Sequence, residues 1–198
     1  MFRMILSFFG GIFTTLTMSI GIVALTIGAV FWMYGRDLPS HESLASYTPP
    51  TISRIYSGQG RLIDEFAQER RLFAPANTIP ALVKQAFISA EDKNFYEHDG
   101  YDLRGIGAAA VDAVKSRGRD VRGASTITQQ VMKNFLLSGD RRAERKIKEI
   151  ILAARLEETL DKEKILELYL NEIFLGQNSY GVAAPSQPYF NKTRSELA

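Results

Sequence analysis

An uncharged stretch near the N-terminus constrains the fold most, because no charged residue occurs between Met4 and Gly35. A helix needs about 20 mostly apolar residues to cross the core of a bilayer, and this stretch is longer. Trp32 and Tyr34 lie at its end, where aromatic side chains favour the membrane interface. The alternative is a cleaved signal peptide, whose apolar part would usually be about 7–15 residues long. We therefore predict that residues 1–35 form a cytoplasmic tip and an uncleaved transmembrane anchor.

The remaining composition excludes several classes of protein. The chain lacks cysteine, which excludes disulfides and thiolate metal sites. The net charge of +2 argues against a dedicated nucleic-acid binder, although local basic runs exist. Arg3 precedes the uncharged stretch and Arg36 follows it, so charge alone barely sets the orientation of the anchor.

Composition divides the chain after the anchor into two parts. Residues 36–51 are rich in proline and serine and are predicted to be a linker. Residues 52–198 form the predicted domain, which opens with two short strands around the turn SGQG at 57–60. From Pro80 onward the patterns are mostly helical. The expected fold is therefore mainly α, with a short N-terminal β-hairpin and one preceding transmembrane helix.

The first helical pattern begins at Pro80 and ends at a carboxylate, Glu91. Its apolar stripe comprises Leu82, Val83, Ala86, Phe87 and Ala90. A carboxylate at the end of this stripe should be partly desolvated and near the negative end of the helix dipole. Both effects disfavour its charged form, as suits a general base. A carboxylate merely paired with a nearby Arg or Lys remains the alternative.

Capping signals mark three further helices. Asp102 precedes one with apolar residues at Leu103, Ile106, Ala110, Val111 and Val114. Thr126 has capping-box spacing with Gln129, and Gly123 just before should leave free backbone N–H groups, a ready anion site. Asp161 opens the last helix, which should reach about Asn171.

One more helix is predicted within residues 141–160. Its expected apolar stripe is Ala143, Ile147, Ile150, Ile151 and Ala154. Arg145 and Glu149 are spaced i, i+4 and could form a surface ion pair contributing only about 0.3–0.5 kcal/mol.

Four ordered motifs lie along residues 91–171. The first, E-D-x-x-F-x-x-H-x-G, is Glu91, Asp92, Phe95, His98 and Gly100. The second, G-x-S-T-x-x-Q-Q, is Gly123, Ser125, Thr126, Gln129 and Gln130. The third, R-K-x-x-E, is Arg145, Lys146 and Glu149. The fourth is Lys162, Ile165, Leu166, Glu167, Tyr169, Leu170 and Asn171. With these motifs the chain resembles the peptidoglycan glycosyltransferase domain of class A penicillin-binding proteins and monofunctional transglycosylases.

The resemblance implies a lysozyme-like helical domain at the outer face of the cytoplasmic membrane, held by a single-pass anchor. It implies inverting transfer from a lipid-pyrophosphate-linked glycan strand to lipid II, which lengthens a β-1,4 glycan chain. The helix and basic loop from about 102 to 122 would dip into the membrane. The partners implied are lipid II, the lipid-linked strand, the membrane and other cell-wall synthesis proteins, with no nucleic acid.

The resemblance also suggests roles for individual residues. Glu91 would be the general base and Glu149 the second essential carboxylate. Groups that bind substrate or its pyrophosphate would be Ser125, Gln129, Gln130, Lys133, Arg141, Arg145, Lys146 and Lys148. Structural positions would be Asp92, Phe95, His98, Gly100, Gly123, Thr126, Tyr169 and Asn171.

A metal site at Glu91, Asp92, His98 and Asp99 is a rival interpretation. The chain has only two histidines and no repeated ligand spacing, so we predict no protein-caged metal. Mg²⁺ or Mn²⁺ bridging the substrate pyrophosphate stays open as a cofactor, and His98 is expected to orient the loop after Glu91.

Other functions and two departures from the family pattern are also considered. A lysozyme-like lytic enzyme and an inactive membrane-anchored scaffold are the alternative functions. Pro185 and Pro188 interrupt a run that is helical in the family and should shorten or kink it. Asn191 stands at a position where the family often has Gly. We expect the chain to be the N-terminal part of a longer protein, and it contains no Ser-x-x-Lys transpeptidase motif.

Overall fold

The computed structural model describes residues 2–36, 38–40, 42–47, 53–66, 70–117, 123–137, 142–185 and 189. The chain forms two compact units, Met1–Leu38 and Pro39–Ala198. It is mainly helical, which confirms the predicted fold class. The boundaries of the predicted linker and domain, and the likeness to lysozyme, stay predictions.

The first unit is one long helix, α1 (Phe2–Gly35). Its segment Ser7–Gly35 is long and apolar enough to cross a membrane, with a mean hydropathy of 2.0 and none of it buried. Hydroxyls in this segment bond to the backbone of their own helix, as do those of Thr14 and Thr15, which donate to the carbonyls of Gly10 and Gly11 at 2.8 and 2.9 Å. Hydroxyls satisfied by their own helix are compatible with a hydrocarbon surrounding.

The second unit opens with the predicted hairpin. Strands β1 (Ser53–Tyr56) and β2 (Leu62–Phe66) pair antiparallel. The turn is closed by the Ser57 N–H, which donates to the Arg61 carbonyl at 2.7 Å. A second, minimal sheet pairs β3 (Arg70–Arg71) in parallel with β4 (Ser179–Tyr180).

Five α-helices follow in the described residues of this unit. They are α2 (Ala81–Glu91), α3 (Leu103–Lys115), α4 (Ile127–Leu136), α5 (Arg142–Thr159) and α6 (Lys162–Glu172). The predicted caps are confirmed, because Asp102, Thr126 and Asp161 each accept a backbone N–H from the first turn of their helix. The core lies where α4 contacts α5 and α6. Its fully buried side chains include Ile127, Val131, Met132, Leu152, Leu156, Ile165, Leu166 and Leu170.

The predicted apolar stripes of α2 and α5 are partly wrong. On α2, Leu82 is 71% exposed, and the buried residue is Ile88 at 4%. On α5, Leu152 and Leu156 are fully buried, whereas Ile147 and Ile150 are only half-buried. The reason is that a helix buries the face on which its neighbours pack. The face of α5 that packs on α4 contains Glu149, so it is not the face that the apolar residues alone predict.

The segment that follows β4 is held by close backbone packing. Gly181 has φ +71°, and a Cβ there would lie 2.7 Å from the Asn171 carbonyl oxygen, so only glycine fits. Residues 181–185 form turns rather than a helix, in line with the interruption predicted at Pro185. Pro188 and Asn191 lie outside the described residues.

Candidate active site

Glu91 ends α2 as predicted, and its side chain is exposed. The expectation that it would be partly desolvated is therefore wrong, because in the last turn of α2 only Ile88 is buried. Gln130 on α4 donates from Nε2 to Glu91 Oε2 at 2.8 Å. The final glutamine of the second motif therefore holds the candidate base directly.

Glu91 lines a cleft of about 440 Å³ between the end of α2 and the starts of α3 and α4. Lys93 and Arg104 line the same cleft and are both exposed. The other wall is formed by the segment Gly123–Thr126 that leads into α4. An exposed carboxylate therefore lies beside cationic side chains in a cleft large enough for part of a ligand.

Asp92 is buried directly behind Glu91, at 6% exposure. Its carboxylate accepts the backbone N–H of Ile127, the first residue of α4, at 2.9 Å. It also pairs with His98 Nε2 at 3.0 Å. Asp92 thus joins the loop after Glu91 to the start of α4, which fixes the position of Glu91 relative to Gln130.

Side chains occupy two backbone donors at the start of α4. Besides the Ile127 N–H taken by Asp92, the Gln129 N–H donates to Thr126 Oγ1 at 3.2 Å. The prediction of free N–H groups after Gly123 is therefore wrong for these two positions, because side chains of the chain itself occupy them.

Gly100 lets the first motif approach α5 and α4. It has φ +88°, and a Cβ would lie 2.6 Å from backbone atoms of Ala153. Its carbonyl accepts the Thr126 hydroxyl at 2.8 Å and the Gln129 side-chain amide at 3.4 Å. Because Gln129 is only 1% exposed, the structure places it in a packing contact rather than in the cleft.

Lys146 of the third motif connects α5 to the start of α4. Its ammonium donates to Ser125 Oγ and Gln129 Oε1 at 2.7 Å each, and to Glu149 Oε2 at 3.2 Å. Glu149 is buried, at 5% exposure, and Arg145 Nε lies 3.3 Å from its other oxygen. The predicted Arg145–Glu149 ion pair is present, but the expectation that it lies on the surface is wrong, because Glu149 lies on the packed face of α5 between two cations.

The remaining expected cations differ in their surroundings. Lys148 pairs with Glu144 at 2.9 Å. Lys133 is exposed in the last turn of α4. Arg141 lies outside the described residues. The structure therefore brings Arg145 and Lys146 together around Glu149, and leaves Lys133 accessible to a ligand.

The fourth motif holds the segment before α2. The Asn171 side chain accepts the Ala74 N–H at 2.7 Å and donates to the Ala74 carbonyl at 2.9 Å. Glu167 accepts the Ala76 N–H at 2.7 Å. The ring of Tyr169 packs edge-to-face on Phe87, with centroids 6.1 Å apart. This motif positions α2, and through it Glu91.

Two positioning residues were not assigned roles from the sequence. Lys162 Nζ donates to the His98 carbonyl and lies 4.7 Å from the centre of the Phe95 ring. Asn94 donates to Asp102 at 2.9 Å and ties the loop after Glu91 to the cap of α3. Lys162 could have been found from its place in the fourth motif, whereas Asn94 carried no signal.

Two titratable groups near the cleft have shifted pKa values. The pKa of Asp102 is lowered, chiefly because the Gly105 N–H hydrogen-bonds to its carboxylate, with further donation from Asn94. The pKa of Tyr169 is raised, first by burial and second by the charge of Glu91. Asp102 therefore stays ionised and Tyr169 stays neutral around neutral pH.

Comparison with known proteins agrees with this geometry. The family model for transglycosylases matches residues 59–198. Penicillin-binding protein 1A of Rickettsia felis is 52% identical over 170 residues, which cover 85% of this chain and 22% of that protein. Penicillin-binding protein 1A of Neisseria meningitidis serogroup A is 44% identical over 189 residues, covering 96% of this chain and 23% of that protein. The chain spans less than a quarter of these relatives, and it belongs to the transglycosylase family that they share.

Proposed function

We propose that the chain polymerises peptidoglycan by inverting glycosyl transfer from a lipid-pyrophosphate-linked glycan strand to lipid II. The observation that carries this proposal is the placement of Glu91. Its carboxylate lies on the rim of a cleft, held by Gln130, while the neighbouring Asp92 and His98 are buried and bonded to each other. One carboxylate of the first motif is thus free to react, and the next one is structural.

Glu91 acts as the general base in this proposal. The acceptor 4-hydroxyl attacks C1 of the donor sugar, the bond from C1 to the phosphate oxygen breaks, and the lipid pyrophosphate leaves with the electron pair. The hydroxyl proton goes to Glu91. The exposed carboxylate lies open to a bound acceptor, and general-base assistance typically contributes about 10²–10⁴-fold.

The leaving pyrophosphate needs positive charge more than a proton donor, since it is already a good anion. Lys133 is an exposed cation on α4 that suits this role, and Arg141 belongs to the same proposed set. Arg145 and Lys146 flank Glu149, which offsets part of their charge and holds them in place. Glu149 thus acts through these cations as a positioning residue.

The position of Glu149 disfavours the lytic alternative. A glycosidase places its two carboxyl groups on either side of the scissile bond, and one protonates the leaving oxygen. Glu149 is instead buried and paired with two cations. Its two oxygens are engaged by these cations, and it does not line the cleft in which Glu91 lies.

The exposed apolar face of α3 supports the proposed contact with the membrane surface. Leu103, Val111 and Val114 are 70%, 51% and 80% exposed, and Ala109 is the only buried residue of this helix. Arg104 and Lys115 on the same helix suit anionic headgroups. In this proposal the helix lies at the outer face of the cytoplasmic membrane, to which α1 anchors the chain.

A divalent cation would have to be carried mainly by the substrate. Within the described ranges there is no group of three or more His, Asp or Glu side chains placed to hold a metal ion. Mg²⁺ or Mn²⁺ would therefore bind chiefly through phosphate oxygens, as Mg²⁺ often does with nucleotide phosphates.

Two parallel incubations test the proposed reaction. The detergent-solubilised protein is given labelled lipid II in one and finished peptidoglycan in the other, and products are separated by length. We expect longer glycan chains from lipid II and no fragments from peptidoglycan. Fragmentation without polymerisation would replace the proposal with a lytic activity, and inactivity in both would favour a scaffold.

A further inference from the structure

The hydroxyl of Tyr169 has no explained role in the packing. Tyr169 is 1% exposed, and its hydroxyl oxygen is buried without a hydrogen-bond partner among the described residues. Buried tyrosine hydroxyls usually have a partner, because an unpaired one costs folding free energy. Phenylalanine would give the same ring packing without this cost. The hydroxyl therefore needs a partner, which can be a ligand, a water or a side chain that moves to it.

The packing of Tyr169 directs attention to the end of α2. Its ring contacts Phe87, and Glu91 follows Phe87 by four residues on the same side of that helix. Burial raises the pKa of Tyr169, and the negative charge of Glu91 raises it further. The hydroxyl therefore stays protonated, and able to donate, throughout the pH range in which carboxylates titrate.

Glu91 can accept such a hydrogen bond. Gln130 holds its Oε2, and Oε1 has no hydrogen bond to any other described residue. The side chain is exposed at a helix end, so rotation about its own bonds meets little resistance.

We propose that the Tyr169 hydroxyl donates a hydrogen bond to the Glu91 carboxylate, directly after rotation of Glu91 or through one buried water. Tyr169 is then a positioning residue, and its effect on catalysis rests on the proposed role of Glu91 as base. Two neutral donors, the Gln130 amide and the Tyr169 hydroxyl, then favour the ionised carboxylate and direct its free lone pair to the acceptor. After Glu91 takes the proton, the hydroxyl can turn and accept from the new carboxylic acid.

The test is Tyr169→Phe, which keeps the ring packing and removes the donor. Tyr96→Phe is the matched control, because the Tyr96 hydroxyl bonds to Glu163 away from Glu91. Two quantities are measured on the detergent-solubilised protein. One is the titration midpoint of Glu91, from ¹³C NMR of labelled glutamate carboxyls assigned by Glu91→Gln. The other is the acidic limb of the polymerisation rate.

The Tyr169 hydroxyl donates to the charged form of Glu91, so losing it should raise the titration midpoint of Glu91. In Tyr169→Phe we expect the NMR midpoint and the acidic limb to move up together by about one pH unit, the usual scale of a hydrogen bond to a charged group. Tyr96→Phe should move neither. A 3-fluorotyrosine placed at position 169 keeps the ring and donates more strongly, so it should move the midpoint down.

An unchanged Glu91 midpoint in both position-169 variants would overturn the hydrogen bond. A shifted midpoint with an unshifted acidic limb would support the hydrogen bond and overturn the role of Glu91 as base, so the two proposals fail separately.

Discussion

Replacing Asp92 by alanine would remove the carboxylate that joins the loop after Glu91 to the start of α4. In the native protein this carboxylate accepts from the Ile127 N–H at 2.9 Å and from His98 Nε2 at 3.0 Å. Alanine leaves both donors buried and unpaired, because Asp92 is only 6% exposed and water has little access. Glu91 would also lose the support that fixes it relative to Gln130.

The expected cost follows from these two contacts. Leaving one buried donor without a partner typically costs about 1–3 kcal/mol, so the two donors together should cost roughly 2–6 kcal/mol. For a domain of about 150–250 residues, each kcal/mol lowers the melting temperature by roughly 2–4 °C. Asp92→Ala should therefore lower the melting temperature by roughly 4–24 °C. Asp92→Asn should lose less, because an amide oxygen can still accept the Ile127 N–H.

The assay is thermal unfolding of the detergent-solubilised protein followed by circular dichroism, with polymerisation rates on the same samples. Asp99→Ala is the matched control, since Asp99 lies in the same loop and its side chain is exposed. A melting temperature for Asp92→Ala within the scatter of Asp99→Ala would refute the bracing role. A rate loss in Asp92→Asn as large as that in Glu91→Gln would also contradict it.

Three further outcomes are expected. Gly100→Ala should destabilise by at least about 2 kcal/mol, from a left-handed φ and a Cβ placed 2.6 Å from Ala153 backbone, as measured by urea unfolding. The pKa of Asp102 is lowered chiefly by the Gly105 N–H, and the pKa of Glu163 is lowered chiefly by Lys84. The ionised carboxylates therefore stabilise the fold above their ordinary pKa values of 3.8 and 4.5, and this stabilisation is lost as the pH falls below those values. Urea midpoints should thus fall between pH 6 and pH 3, and less so in Asp102→Asn. Lys133→Ala should weaken binding of a labelled phosphoglycolipid inhibitor by roughly 10-fold or more, and unchanged anisotropy curves would mean that Lys133 is only solvated.

Local signals in the sequence predicted most of the helices and their starts. Asp102, Thr126 and Asp161 cap helices because a short polar side chain satisfies the first backbone N–H groups without help from distant residues. The hairpin was predictable for the same reason, since its turn residues act within a few positions.

The burial of a side chain and its hydrogen-bond and ion-pair partners could not be predicted in the same way, because they depend on which face of its helix other elements cover. Glu149 looked like a surface residue by spacing, and it is buried because α4 packs on its side of α5. Glu91 looked partly desolvated, and it is exposed because only Ile88 of the last turn of α2 is covered by other elements. The bonds from Lys146 to Ser125 and Gln129 join two helices, so no local pattern could indicate them.

The most direct test of the central claim is the polymerisation rate of Glu91→Gln, measured with lipid II on protein whose folding and inhibitor binding are verified. Glutamine keeps the size of the side chain and can still bond to Gln130 through its carbonyl, and it cannot accept the proton. The account predicts a rate loss of at least about 10²-fold, within the range of general-base catalysis, with inhibitor binding close to that of the native protein. Near-normal turnover in the folded, inhibitor-binding variant would contradict it.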